Sequence, residues 1–361
     1  MKKLLVTCLF LFYVNLVKGQ DPTNTSFQYG RLEYNPSYGG GDGPGKIGIR
    51  SSSRTSFYPV RGPFSYSTFS MDYSPCKESL GRIGLGLLAT NETQGDGFLK
   101  INKVAFNFGI GIPINKHSAI SAGFRPGLVF QNVDWNEFIF SDQLDPIRGI
   151  MQQPSSNQNA NLDLSTVTNW DFGLRYNLYN SKAAYFMAGI GVFNAFEPQI
   201  GLLNRATLPR RFSLQLSLLH KSKLKDNISY HFYFRGDLQN NFKYGALNFE
   251  TYFGSKISAG AGLKLPLINP YGVKNNLYPS LLFGYQANPV FKIYAAVETN
   301  VMGVNIAGKT SSFEVGIVLI NNKKVCGLND MKDLYKYDFR DKSQPLNCPR
   351  FRNTDGKIET F

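Results

Sequence analysis

From Lys46 onward, apolar and polar side chains alternate with a period of two. Phe212, Leu214, Leu216 and Leu218 alternate with Ser213, Gln215 and Ser217. Ile228, Tyr230, Phe232 and Phe234 alternate with Ser229, His231, Tyr233 and Arg235, and the pattern returns at Val104 to Ile112 and at Phe313 to Leu319. A period of two puts successive side chains on opposite faces of a strand, whereas an amphipathic helix would repeat every 3.6 residues. The alternation predicts strands near 47–53, 64–73, 81–90, 98–112, 118–133, 167–178, 183–194, 211–221, 228–238, 244–253, 257–265, 278–287, 290–299 and 312–320. No convincing amphipathic helix interrupts them.

About fourteen strands is an even number, as single-chain bacterial outer-membrane barrels have, and many reach the roughly nine to eleven residues that a tilted strand needs to cross the hydrocarbon layer. The connections agree. If both termini lie in the periplasm, odd-numbered connections become outer loops and even-numbered ones periplasmic turns. The even ones are brief: Pro113 to His117, Tyr179 to Lys182, Ser222 to Asn227, Gly254 to Lys256 and Asn288 to Pro289. The odd ones include Asp134 to Thr166, Ala195 to Arg210, Pro266 to Leu277 and Asn300 to Ser311, and only Gln239 to Lys243 is short. A secreted β-sandwich has no reason to segregate its loops in this way. The expectation is an all-β, antiparallel transmembrane barrel.

In such a barrel the aliphatic face meets lipid. Asp171, Arg175, Arg235, Asp237, Glu250 and Glu298 fall on the opposite parity and should face the lumen, which spares a cation a penalty of about 2–4 kcal/mol at the bilayer midplane. Tyr73, Tyr176, Tyr179, Phe253 and Tyr285, near strand ends, suit aromatic girdles.

Composition fits this picture. The 361 residues carry 29 Phe, 20 Tyr and 35 Gly but only 18% charged side chains, fewer than an ordinary soluble domain. Lys2 and Lys3, the apolar run Leu4 to Val17 and the small-residue exit at Gly19 read as a secretory signal cut after Gly19, so that residues 1–19 are removed. Residues 20–45 are polar, with Asn35-Pro36 and the run Gly39-Gly40-Gly41, and predict an irregular lead or plug. The barrel occupies 46–321, and 322–361 form a charged periplasmic tail without alternation. The net charge of +14 falls with the leader's lysines and is otherwise dispersed. With no Lys/Arg block and an exported chain, nucleic acid is not expected as a partner; anionic headgroups of the outer-membrane lipid, or polysaccharide, are.

Motifs of catalytic type do not hold together. Gly303-Val-Asn-Ile-Ala-Gly308-Lys309-Thr310 fits the phosphate-loop pattern, but a strand rather than a helix follows, so it reads as a hairpin loop. His117, His220 and His231 are too dispersed for a metal, and His231 with Ser229 is the only Ser/His pair of matching parity. Gly109-x-Gly111 and Gly189-x-Gly191 are small residues on one face rather than dinucleotide fingerprints. Neither catalytic residues nor cofactor or metal ligands emerge, and the chain is not expected to be an enzyme. Of the mature cysteines, Cys326 and Cys348 enclose a short loop and are the favoured disulfide, with Cys76 to either of them the alternative.

The stretch from Gly123 to Pro146 is a strand rising into a long loop rich in aromatic residues, the composition of a docking surface. Asp134, Trp135, Phe138, Phe140, Asp142, Asp145 and Pro146 are its candidate partner-binding residues; folding back to seal the barrel is the other use of such a loop. At these residues the chain resembles the PorP/SprF family of the type IX secretion system of Bacteroidetes. The likeness begins at Gln20-Asp21-Pro22 and includes Tyr34-Asn35-Pro36-Ser37-Tyr38-Gly39-Gly40, where the family has an N-P-A-Y-A-G-like element. It continues through Val133-Asp134-Trp135, Phe140 to Pro146 and Leu208-Pro209-Arg210-Arg211-Phe212, and covers about residues 20–320.

The resemblance implies a non-enzymatic outer-membrane barrel that supports export or surface anchoring of adhesins, as in gliding motility. It implies as partners an adhesin bearing a C-terminal secretion domain and other secretion components, periplasmic ones included, and no cofactor. The lumen charges motivate an alternative, an outer-membrane channel or transporter for small or hydrophobic substrates. The extension beyond the final strand departs from the family pattern, which leaves open whether the tail docks a periplasmic partner.

Overall fold

The computed structural model describes residues 23–40, 46–58, 64–75, 82–95, 99–115, 118–133, 139, 141–145, 147, 149–150, 164–180, 184–200, 206–221, 228–240, 242–254, 256–268, 277–288, 290–301, 311–320, 349–352 and 358–360. Fourteen strands close into one antiparallel barrel. In chain order they are β1 (Ile47–Tyr58), β2 (Phe64–Tyr73), β3 (Arg82–Gln94), β4 (Leu99–Asn115), β5 (Ser118–Val133), β6 (Leu164–Asn180) and β7 (Ala184–Phe193). They continue as β8 (Arg211–Lys221), β9 (Ile228–Gln239), β10 (Phe242–Phe253), β11 (Ile257–Ile268), β12 (Tyr278–Gln286), β13 (Phe291–Thr299) and β14 (Ser311–Ile320). Each strand pairs with its chain neighbour, and β1 closes the circle against β14 from Gly48↔Ile320 to Tyr58↔Ser311. Every strand that the alternation predicts is present. Among the described residues no helix is long and apolar enough to cross a membrane.

The barrel reverses the usual core. On β4, Val104, Phe106, Phe108, Ile110, Ile112 and Ile114 are exposed on the outer wall, while Ala105 and Asn107 between them are buried. The same parity buries Asp171, Arg175, Arg235, Asp237, Glu250 and Glu298 in the lumen. An exterior that is largely apolar is the arrangement that lipid, rather than water, stabilises. Tyr176, Phe253 and Tyr285 are exposed near strand ends at the rim that carries the short turns. The side chain of Tyr179 lies outside the described residues.

The two rims differ. The 30-residue connection from β5 to β6 and the 17-residue connection from β7 to β8 join strands at one rim, whereas β4–β5 and β6–β7 turn within two and three residues at the other. Within the first connection Ser141–Gln143 forms a 3-10 turn and Leu144–Asp145 pairs with Gly149–Ile150. In the tail, Pro349–Arg352 pairs with Ile358–Thr360.

Candidate functional site

The lumen is occupied by the chain's own N-terminal segment. Thr23–Gly40 lies inside the barrel, with most of its residues buried. Arg31–Tyr34 makes a single helical turn (α1), and Pro36–Tyr38 a 3-10 turn with proline at its start, where the missing amide is not needed. Asn35 caps that turn: its Oδ1 accepts the Ser37 amide at 2.9 Å. Its Nδ2 faces the other way and donates to the carbonyls of Leu174 (3.2 Å) and Ile190 (3.4 Å) in the wall. One side chain thus shapes the segment and fastens it to the barrel.

The segment sits on a row of glycines. Register pairs Gly84 with Gly109, Gly109 with Gly123, Gly123 with Gly173 and Gly173 with Gly191, so five adjacent strands, β3 to β7, present glycine side by side toward the lumen. A Cβ at Gly84 would lie 2.0 Å from the Gly39 carbonyl oxygen, at Gly123 2.1 Å from the Pro36 carbonyl carbon, and at Gly173 2.0 Å from Asn35 Oδ1. Only glycine lets the backbone of Asn35–Gly39 approach the wall so closely.

Polar wall side chains pair with the segment's backbone, as a buried irregular segment requires. Asn107 Nδ2 donates to the Pro36 carbonyl (2.8 Å), Gln215 Nε2 to Tyr34 O (2.5 Å) and Asn248 Nδ2 to Thr25 O (2.9 Å). Arg125 donates to the carbonyls of Leu32 and Glu33, the end of α1 where a cation is favoured. The Glu314 carboxylate accepts the amides of Thr25 (2.6 Å) and Ser26 (3.1 Å). Aromatic contacts add to this: the Arg235 guanidinium lies 3.7 Å from the Tyr34 ring centroid, Arg175 4.2 Å from that of Tyr38, and Tyr29 stacks on Tyr294.

Many of the lumen charges stand opposite a countercharge. Asp171 accepts Lys103 and Arg125, each at 2.8 Å, and also Asn169 Nδ2 and the Asn194 amide. Arg50 pairs with Asp72, Arg54 with Glu298 at 2.8 Å, and Arg235 with Asp237 at 2.6 Å. Glu250 accepts the hydroxyls of Tyr29 and Tyr252 and sits 3.7 Å from Lys292. Pairing offsets part of the cost of burying these charges. Within the segment Glu33 accepts Tyr66 Oη (2.9 Å) and Asn24 Nδ2 (3.1 Å). Burial raises its pKa from the ordinary glutamate value, opposed in part by Arg235 and by the Tyr66 hydrogen bond.

Of the residues singled out in the sequence, His231 is buried and bonds Ser217 across the strand pair at 2.7 Å through Nε2, with Tyr233 Oη on Nδ1. Ser217 stands on the adjacent strand, so this contact is set by register, which sequence alone does not reveal. Among the described residues no group of three or more His, Cys, Asp or Glu could hold a metal. Asp142 and Asp145 stand on the long β5–β6 connection, where Asp145 Oδ1 accepts the Ile147 amide, and Ile139, Leu144 and Ile147 beside them are exposed. Asp134, Trp135, Phe138, Phe140, Pro146, the cysteines Cys76, Cys326 and Cys348, and the phosphate-loop-like run Gly303–Thr310 lie outside the described residues.

Sequence reasoning missed the glycine row and several lumen partners of the segment: Arg54, Arg125, Gln215, Asn248 and Glu314. Their parity was readable. Their convergence on Thr23–Gly40 depends on register.

The family model described as "Type IX secretion system membrane protein PorP/SprF" matches residues 16–319. No curated protein matches the chain. Among solved structures, the CymD monoaromatic hydrocarbon channel is similar with a TM-score of 0.51 at 11% identity, over 81% of this chain and 92% of that one. The Pseudomonas putida toluene transporter TodX is similar with a TM-score of 0.48 at 11% identity, over 81% and 93%. A Pseudomonas aeruginosa FadL homologue scores 0.46 at 12% identity, over 84% and 99%. At these identities the likeness to CymD is one of fold.

Proposed function

Because the chain belongs to the PorP/SprF family of type IX secretion system membrane proteins, we propose that it is a non-enzymatic outer-membrane barrel that supports secretion or surface anchoring of adhesins. The carrying observation is a barrel whose lumen is filled by a hydrogen-bonded segment of its own chain, Thr23–Gly40, while the long β5–β6 connection exposes the apolar side chains of Ile139, Leu144 and Ile147 off the wall. A filled barrel with a sticky rim suits holding a large partner better than conducting a small one. In this reading the long connections face outward, Asp134 to Pro146 with Ile139, Leu144 and Ile147 contacts an adhesin bearing a C-terminal secretion domain, and the tail meets periplasmic secretion components. Cleavage after Gly19 would leave three residues ahead of Thr23, consistent with a segment housed in the lumen.

The test is a deletion strain assayed for surface adhesin by immunolabelling and for spreading on agar, together with mass spectrometry of proteins that co-purify with the barrel. Adhesin display should fall, and an adhesin and periplasmic secretion proteins should co-purify. Normal display with neither class of partner recovered would overturn the reading. The channel alternative requires the N-terminal segment to leave the lumen, and ligand uptake by purified protein with unaltered adhesin display would favour it.

A further inference from the structure

Along β1 the apolar exterior gives way to hydroxyl side chains, after Ile47 and Ile49, which are half-buried near the start of the strand. Among the described residues β1 is the only strand that offers lipid no exposed large apolar side chain. Arg50, Ser52 and Arg54 of β1 are buried on the lumen side, so Ser51, Ser53 and Thr55 face outward. They occupy the middle of a 12-residue strand and lie in register with Ile317, Val315 and Phe313 of β14, within the aliphatic belt rather than at a rim.

The polar band continues onto β2 and then toward the joined ends of β3 and β4. Ser53 pairs in register with Ser67 of β2, Ser67 with Asn91 of β3, and Asn91 with Asn102 of β4. Ser53 and Ser67 are hydrogen-bonded at 3.0 Å, and Asn91 Nδ2 donates to Asn102 Oδ1 at 2.7 Å. A hydroxyl that accepts one bond still carries its own proton, and a primary amide its second. Lipid offers such donors nothing, and polar groups on a membrane-facing surface are accordingly used to join proteins.

We propose that this band, centred on Ser51, Ser53 and Ser67, is an interface between two copies of the barrel. The chemistry selects a second copy. A two-fold interface places the same patch on both sides, which charges of one sign would forbid. Hydroxyl and amide groups are donor and acceptor at once and complement themselves. Both copies insert with the same orientation, so the axis runs along the membrane normal and Ser53 of one barrel meets its equivalent at equal depth. Phe69 and Met71 on β2, exposed below the band, supply apolar packing at its edge.

The experiment measures mass and neighbours of the full-length protein. Purified in mild detergent and reconstituted in lipid nanodiscs, the protein should carry twice the chain mass by light scattering, and the triple variant S51L/S53L/S67L should carry the single mass. Heat-modifiable migration on gels establishes that the variant barrel is folded. A photo-crosslinking residue at Thr55 in cells should give an adduct of two chains, and one at Leu174, exposed on β6, should not. A wild-type protein of single mass, a dimer that survives the triple substitution, or an adduct from position 55 to a different protein would each overturn the proposal.

Discussion

Replacing Gly123 by valine tests whether the glycine row holds the N-terminal segment. A Cβ there would lie 2.1 Å from the Pro36 carbonyl carbon and 2.3 Å from the Ser37 nitrogen, against the 3.4 Å at which ordinary contact begins, so the backbone must retreat by about 1.3 Å before the γ-methyls are counted. Such a retreat takes the 2.8 Å Asn107 bond to Pro36, and the longer Asn35 bonds to Leu174 and Ile190, out of hydrogen-bonding range. Three bonds at about 1 kcal/mol net each come to about 3 kcal/mol. That is roughly a hundredfold shift from docked to undocked segment. Planar-bilayer conductance and limited proteolysis read this directly: the wild-type barrel should be closed and its residues 23–40 protected, while Gly123→Val should conduct and be cut there. Gly236→Ala is the control, because a Cβ at that site meets nothing closer than 3.5 Å. Closed, protease-resistant Gly123→Val protein of normal heat-modifiable migration would refute the role assigned to the row.

Three further outcomes follow from the same geometry. Arg125→Met should leave the Leu32 and Glu33 carbonyls unpaired, costing about 2–4 kcal/mol, and hydrogen exchange in residues 31–40 should accelerate while exchange in the strands stays slow. Glu33, whose folded pKa is raised by burial, contributes to docking fully below the ordinary glutamate range and loses that contribution as pH rises through the raised value. Its neighbours Tyr66, Asn24, Tyr34, Arg235 and Arg211 are unchanged in Glu33→Gln, so protease protection of the variant should be less sensitive to rising pH than that of the wild type. Ile139→Asp with Leu144→Asp and Ile147→Asp should reduce adhesin capture without altering barrel migration, and unchanged capture would remove this connection from the contact surface.

Much of the architecture is legible in the chain because a barrel wall has one chemistry per face. The alternation of Phe212, Leu214 and Leu218 with Ser213, Gln215 and Ser217 carries both the strand and its orientation. The lumen positions of Asp171, Arg235 and Glu298 follow from the same parity. What parity does not carry is register, and the site is built from register. Gly84, Gly109, Gly123, Gly173 and Gly191 are isolated residues along the chain and a single shelf in the barrel. Tyr34 to Gly40, polar and without periodicity, shows nothing of its destination, because its backbone rather than its side-chain pattern makes many of the contacts.

The contacts that fill the lumen also set its bore. On one side Pro36 and Gly39 rest against glycine with no slack; on the other the Thr25 and Ser26 amides end on Glu314 of the last strand, and the Thr23 carbonyl on Arg54 of the first. A wider cylinder would strand those amides, and a narrower one would crush the proline turn. The N-terminal segment therefore works as a gauge: with it in place, the wall closes where its first and last strands both touch the same few residues.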